Sequence, residues 1–316
     1  MDFEEFKEQV KLKVSMKLGV ETFLEEVPKN NGISLTGLII KGESTNISTI
    51  IYLDDYFENY QNGMDIGDIM DCIFHVIHSN EFSRSVDLSG FLEYAKARKQ
   101  IVFRLVNYGK NKERLAEIPH RKFLDLAVVY YYLVLEKPFN GKAAVRINNR
   151  HMEGWGISED ELYKTALYNT PVLLPYDIKN MNTHMINMIE KGIARDYGED
   201  DEMKKLCLQY ILSEIKLNSY NKIPMYVMTN KDILMGAVCM LYPGIVKKFA
   251  CRMDSDLYIL PSSVHETIIV PAGQNINPEE LKRIVPEINM MQVDVEEQLS
   301  DNIYVYRRAT DIIAIA

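Results

Sequence analysis

The longest near-apolar run in the chain, Leu124 to Leu135, is twelve residues long with Asp125 inside it. That is too short to cross a bilayer, and its Val and Tyr content reads as strand. The run ends at Lys137-Pro138-Phe139-Asn140-Gly141. Asn-Gly supplies the positive φ angles of a tight hairpin turn, and Ala143 to Asn148 resumes as strand. The most apolar segment of the chain is therefore one arm of a hairpin.

The same theme recurs along the chain. Leu35 to Lys41 and Ile47 to Leu53 flank Gly42-Glu43-Ser44, and Leu257 to Leu260 and Val264 to Val270 flank Pro261-Ser262-Ser263. Ile303 to Arg307 with Ile312 to Ile315 forms a last hairpin, and Ile101 to Asn107 reads as a further strand. Helices are read from apolar spacing and caps. Phe3, Phe6, Val10 and Val14 form one stripe ending at Gly19, and Asp65 to His78 carries another; Leu88 to Lys99 also reads as helix. Ser158 with Glu161, and Asn277-Pro278 with Glu280, are capping signals. Thr229-Asn230 is expected to cap a helix interrupted by Pro243-Gly244. Strands joined by hairpins rather than crossover helices predict an α+β fold with mixed or mostly antiparallel sheets and packed helices. Two domains are expected, 1–118 and 119–316, parting at Pro119-His120-Arg121. A helical excursion from the second, about 178–220, carries Met181, Met185 and Met188, then the acidic stretch Gly198 to Glu202 and a helix of about Met203 to Lys216.

Charge narrows the partners. The formal net charge is −9, which disfavours a wholly basic nucleic-acid coat. Tyr94 to Lys122 nevertheless holds nine Lys or Arg against Glu113 and Glu117, a local charge of +7. Tyr94, Phe103 and Tyr108 are interleaved with these charges. Lys96, Arg98, Lys99 and Arg104 are the candidate anion-binding residues, since a basic strip with aromatics binds phosphates and stacks bases. The acidic, amphipathic N-terminus has no signal-peptide pattern. Cys72, Cys207, Cys239 and Cys251 form no C-x-x-C pair and are read as reduced and buried. A cytoplasmic location is expected, with no membrane association.

Nucleotide, hydrolase and zinc-helix signatures are missing, and no motif implies a cofactor. His265-Glu266 lacks the second histidine of a zinc helix. Asp68, Asp71, His75 and His78 share a helix face at metal-ligand spacing but lie opposite a clear apolar stripe, so they read as a solvated face and no metal site is expected. The most chemically suggestive cluster is Ser262, Ser263, His265 and Glu266, offering a hydroxyl, a base and a carboxylate. If this segment is strand, His265 points away from Glu266, so an orienting group must come from elsewhere. His151 and Asn230 are the candidates, giving a ligand pocket of Ser262, Ser263, His265, His151 and Asn230. Around His151, Asn149 is read as a helix N-cap with Trp155 packed beneath it.

At Pro119 to Asp125, Asn149 to Gly156 and Leu257 to Glu266, and again at Met225 to Gly244 and Ser300-Asp301-Asn302, the chain resembles the Firmicute domain-of-unknown-function family 5688. The likeness spans nearly the whole chain. That family has no established activity, so the resemblance implies no site residues. The expected function is a non-catalytic binding or adaptor protein with a protein partner, because no motif supplies chemistry. The alternatives are a hydrolase of unrecognised type built on His265, and nucleic-acid binding through residues 94–122.

Overall fold

The structure, a computed structural model, describes residues 1–41, 48–79, 87–135, 143–197, 224–261, 263–273 and 276–316, with backbone alone for 190–197. These residues form an α+β architecture with three sheets, antiparallel in every named strand pair. The predicted turns at Gly42-Glu43-Ser44 and Lys137 to Gly141 lie outside the described residues. So do Ser262, Cys207, the acidic stretch Gly198 to Glu202 and the expected helix of about 203–216. No described helix is long and apolar enough to cross a membrane.

The chain divides into two compact units, Met1–Leu92 and Glu93–Ala316. The boundary expected at Pro119 falls inside the second unit, because Ile101–Asn107 pairs with Leu126–Val134 and draws both sides of Pro119 into one sheet. The helix expected over Leu88 to Lys99 is likewise two short ones, Ser89–Leu92 and Tyr94–Ala97, with Glu93 extended between them.

In the first unit, α1 (Phe3–Leu18) starts on a reciprocal capping box between Asp2 and Glu5. It stops at Gly19, whose φ of 69° gives the left-handed cap. Phe6, Val10 and Val14 are fully buried. They cover a three-stranded sheet of β1 (Thr22–Pro28), β2 (Ser34–Lys41) and β3 (Ser48–Tyr52), followed by α2 (Asp54–Gln61), α3 (Ile66–Ser79) and α4 (Ser89–Leu92). Leu38, Ile51, Ile69 and Ile73 complete this core. Asp68, Asp71, His75 and His78 lie on the exposed side of α3.

The second unit opens with α5 (Tyr94–Ala97), β4 (Ile101–Asn107), α6 (Lys112–Leu115), β5 (His120–Phe123), β6 (Leu126–Val134) and β7 (Ala143–Arg146). All nine residues of β6 are buried. β4 pairs along one side of β6, and β5 and then β7 pair along the other. Asp125 stands at the head of this strand, after a left-handed Leu124 with φ 54°. Its carboxylate accepts hydrogen bonds from Ser300 Oγ at 2.5 Å, Asn302 Nδ2 at 3.0 Å and Tyr304 Oη at 2.7 Å. The one charge in the apolar run is thus fully engaged.

Next come α7 (Asn149–Trp155), α8 (Glu159–Leu173), β8 (Tyr176–Asn180), α9 (Met181–Tyr197), β9 (Tyr226–Asn230) and a 3-10 segment, Gly236–Leu241. The unit closes with α10 (Ile245–Met253), β10 (Leu257–Leu260), β11 (Thr267–Pro271), α11 (Pro278–Gln292), β12 (Tyr304–Arg307) and β13 (Ile312–Ile315). The six-stranded sheet runs β13-β12-β10-β11-β9-β8. One face of the smaller sheet meets α8, where Phe103 stacks on Tyr163 and its N–H donates to Thr170 Oγ1. At the start of α8, Glu159 accepts from Arg121 and from the buried Tyr130.

Three further expectations are corrected. Cys72 and Cys251 are exposed and only Cys239, among the described cysteines, is buried. The N-cap of α7 is Asn148 rather than Asn149. Asn230 does not cap a helix; its amide closes a tight loop that leads into the 3-10 segment.

Candidate functional site

Directly opposed residues of antiparallel strands share a sheet face. Arg104 of β4 stands opposite Val129, and Arg146 of β7 stands opposite Tyr131. Both guanidiniums therefore rise from the face that carries Val129 and Tyr131, the face away from α8. α6 lies on that same face, since Leu115 packs in one cluster with Val129 and Tyr131, and it brings Arg114 with it. The guanidinium carbon of Arg104 lies 4.6 Å from the centre of the Tyr131 ring.

Three cations from three elements thus share the face that carries Tyr131. All three arginines are half-buried. Each has a guanidinium nitrogen shut off from solvent with no hydrogen-bond partner among the described residues: Nε of Arg104, Nε of Arg114 and Nη1 of Arg146. Burial, followed by the charges of Arg146 and Arg104 and against an opposing pull from Tyr131, holds the Arg114 guanidinium below its ordinary pKa. Among the described residues, no carboxylate contributes to that shift. Half-burying like charges together is unfavourable in an isolated protein and becomes favourable around an anion.

The same face continues onto β5, where His120 and Lys122 stand opposite Val129 and Ala127. Lys122 Nζ lies 4.8 Å over the Tyr108 ring, and His120 Nδ1 is 3.0 Å from the Ile118 carbonyl.

Of the four anion-binding residues read from the sequence, only Arg104 belongs to this face. Lys96 is paired with Glu93 at 2.8 Å. Arg98 and Lys99 line a separate surface cavity of about 420 Å³ with Glu161, Lys164, Thr165 and Asn169. Arg114 sits within the basic stretch but is indistinguishable there from its neighbours. Arg146 lies outside it, and only the register of β7 against β6 brings it in.

Of the residues grouped around His265 from the sequence, the structure brings Ser263 and Asn230 near it. β11 begins at Thr267, so His265 is in a bend rather than a strand. Its Nδ1 is 3.2 Å from the Ile233 carbonyl and its Nε2 is 3.4 Å from Glu297. Its backbone N–H donates to Ser263 Oγ at 3.1 Å. Asn230 Oδ1 accepts from the Asp232 and Leu234 N–H groups, both at 3.1 Å. Ser263, His265 and Asn230 therefore gather around the loop 230–236, which carries left-handed Ile233 and Met235. A Cβ on Gly236 would overlap Thr229 Oγ1 and the His265 carbonyl, so the close approach needs glycine. His151 sits in the first turn of α7, where it exchanges hydrogen bonds with Asn148. Among the described residues, no group of three or more His, Cys, Asp or Glu is gathered as for a metal ion.

The sequence profile of DUF5688, a family of unknown function, matches residues 3–308. The chain belongs to that family. No curated protein and no solved structure matches it. DUF5688 carries no assigned chemistry, so the functional reading rests on the geometry of this member.

Proposed function

We propose that this DUF5688 protein is a non-catalytic binding protein whose second unit holds a small anion between Arg104, Arg114 and Arg146. The observation that supports the reading is the cluster of three half-buried guanidiniums on the Tyr131 face, each with a buried nitrogen lacking a partner among the described residues. Arginine is suited to this role because its planar fork stays charged and grips oxyanions through two parallel N–H donors. A hydrolase centred on His265 has less support. Its imidazole faces a backbone carbonyl and Glu297, and the nearby Ser263 hydroxyl accepts a backbone N–H. Among the described residues, that arrangement aligns no hydroxyl with the base.

Calorimetric titration of the full chain with inorganic phosphate and with sulfate tests the proposal, alongside Arg104→Gln and Arg146→Gln. Each substitution removes charge-assisted hydrogen bonds of roughly 1.5–3 kcal/mol, so affinity should fall by about tenfold or more. An affinity untouched by both substitutions, or no binding of either anion at millimolar concentration, would overturn the reading.

A further inference from the structure

We infer that the anion is the terminal phosphate of a phosphomonoester, an inference that rests on the anion-binding reading above. The geometry of the three arginines separates this class from the other anions that a basic face can hold. Arg104, Arg114 and Arg146 come from β4, α6 and β7; Arg104 lies over Tyr131, and the charges of Arg146, Tyr131 and Arg104 all act on Arg114, so the three form a cluster rather than a track. A convergent trio suits a group with three terminal oxygens, one for each guanidinium. A phosphomonoester has three such oxygens and carries about −1.5 to −2 charge near neutral pH. A carboxylate has two oxygens and one charge. An internal phosphodiester also has two unesterified oxygens and one charge, and its chain must leave the pocket on both sides.

Nucleic acid along this face is further disfavoured by two observations. Single-strand binders offer exposed aromatic rings as stacking platforms, whereas Tyr131 is only 7% exposed and built into the core. The chain is also acidic overall at −9, so the field around a local basic pocket works against a long polyanion and less against a small ligand. Lys122 beside Tyr108 on the same face extends positive charge away from the trio. The organic part of a small phosphate ester has that direction in which to lie.

The test is calorimetric titration of the full chain at pH 8 with phenyl phosphate, dimethyl phosphate, acetate and a single-stranded oligonucleotide lacking terminal phosphates. Wild type is compared with Arg114→Met. Phenyl phosphate should bind at least about tenfold tighter than dimethyl phosphate or acetate, and Arg114→Met should erase most of that margin. If dimethyl phosphate, acetate or the oligonucleotide binds as tightly as phenyl phosphate, and Arg114→Met still weakens binding, the anion site stands and the phosphomonoester inference falls. If no probe binds, or if Arg114→Met changes nothing, the anion-binding reading falls with it.

Discussion

Replacing Arg114 by methionine should make the ligand-free protein more stable while impairing its binding. Methionine keeps an unbranched apolar stem beside the buried Leu115 and removes one of three mutually repelling charges. With α6 layered about 10 Å above the sheet, the Arg114 guanidinium is taken to lie about 8–10 Å from those of Arg104 and Arg146. At an effective dielectric of about 20–40, each like-charge pair then costs ~0.8–2 kcal/mol before screening. A Debye length of about 8 Å at physiological salt cuts that to roughly a third. Removing the repulsion with both Arg104 and Arg146 should therefore stabilise the protein by about 0.5–1.3 kcal/mol. For a unit of this size the thermal midpoint should rise by about 1–5 °C. Scanning calorimetry of wild type and Arg114→Met at 20 mM and 1 M sodium chloride checks the sign and its origin: the gain should shrink at high salt. Phosphate added at many times its Kd should raise the wild-type midpoint and move that of the variant much less. A variant that is less stable than wild type at low salt, or whose gain is independent of salt, would refute the argument that unneutralised repulsion is stored at this face.

Other parts of the molecule give equally direct expectations. Gly236→Ala should destabilise the second unit by about 3 kcal/mol or more, seen as a lower urea midpoint, because the new methyl overlaps Thr229 and the His265 carbonyl. Asp125→Ala should cost about 2–4 kcal/mol, also read by urea unfolding, since it strands the hydroxyls of buried Tyr304 and Ser300. Burial pushes the Cys239 thiol up to about 12, while Cys72 and Cys251 are exposed. A thiol reagent at pH 8 should label those two in the native protein and reach Cys239 only after unfolding. The raised value in the folded state also means that this thiol's contribution to stability is intact below about pH 8.5 and declines as pH rises towards 12. His265→Ala should leave phosphate affinity within about twofold of wild type in the same titration, since His265 faces the loop at Ile233 and Glu297. A larger loss would bring His265 back into the site.

What the sequence determined by itself was local. The stripe of Phe6, Val10 and Val14 with its stop at Gly19, the caps at Ser158 and Asn277, and the β character of Leu126–Val134 are written in spacing and side-chain type, because 3.6- and 2-residue periods and cap hydrogen bonds involve near neighbours. The hairpin theme that predicted α+β is of the same kind. β1 and β8 went unread because charges interrupt their apolar pattern, Glu25 and Glu26 in one and Asp177 and Lys179 in the other, and each becomes a strand only through its partner, Ser34–Lys41 or Tyr226–Asn230. The place where the chain parts was decided by the pairing of β4 with β6, against the punctuation at Pro119. Tertiary structure likewise separated four basic residues that sequence had grouped. It sent Arg98 and Lys99 to one cavity and Lys96 to Glu93, and joined Arg104 to Arg114 and to Arg146 from another strand. Charge density along a chain records composition, whereas convergence of charges depends on strand register, and register is fixed only when the two faces of a sheet choose what to bury.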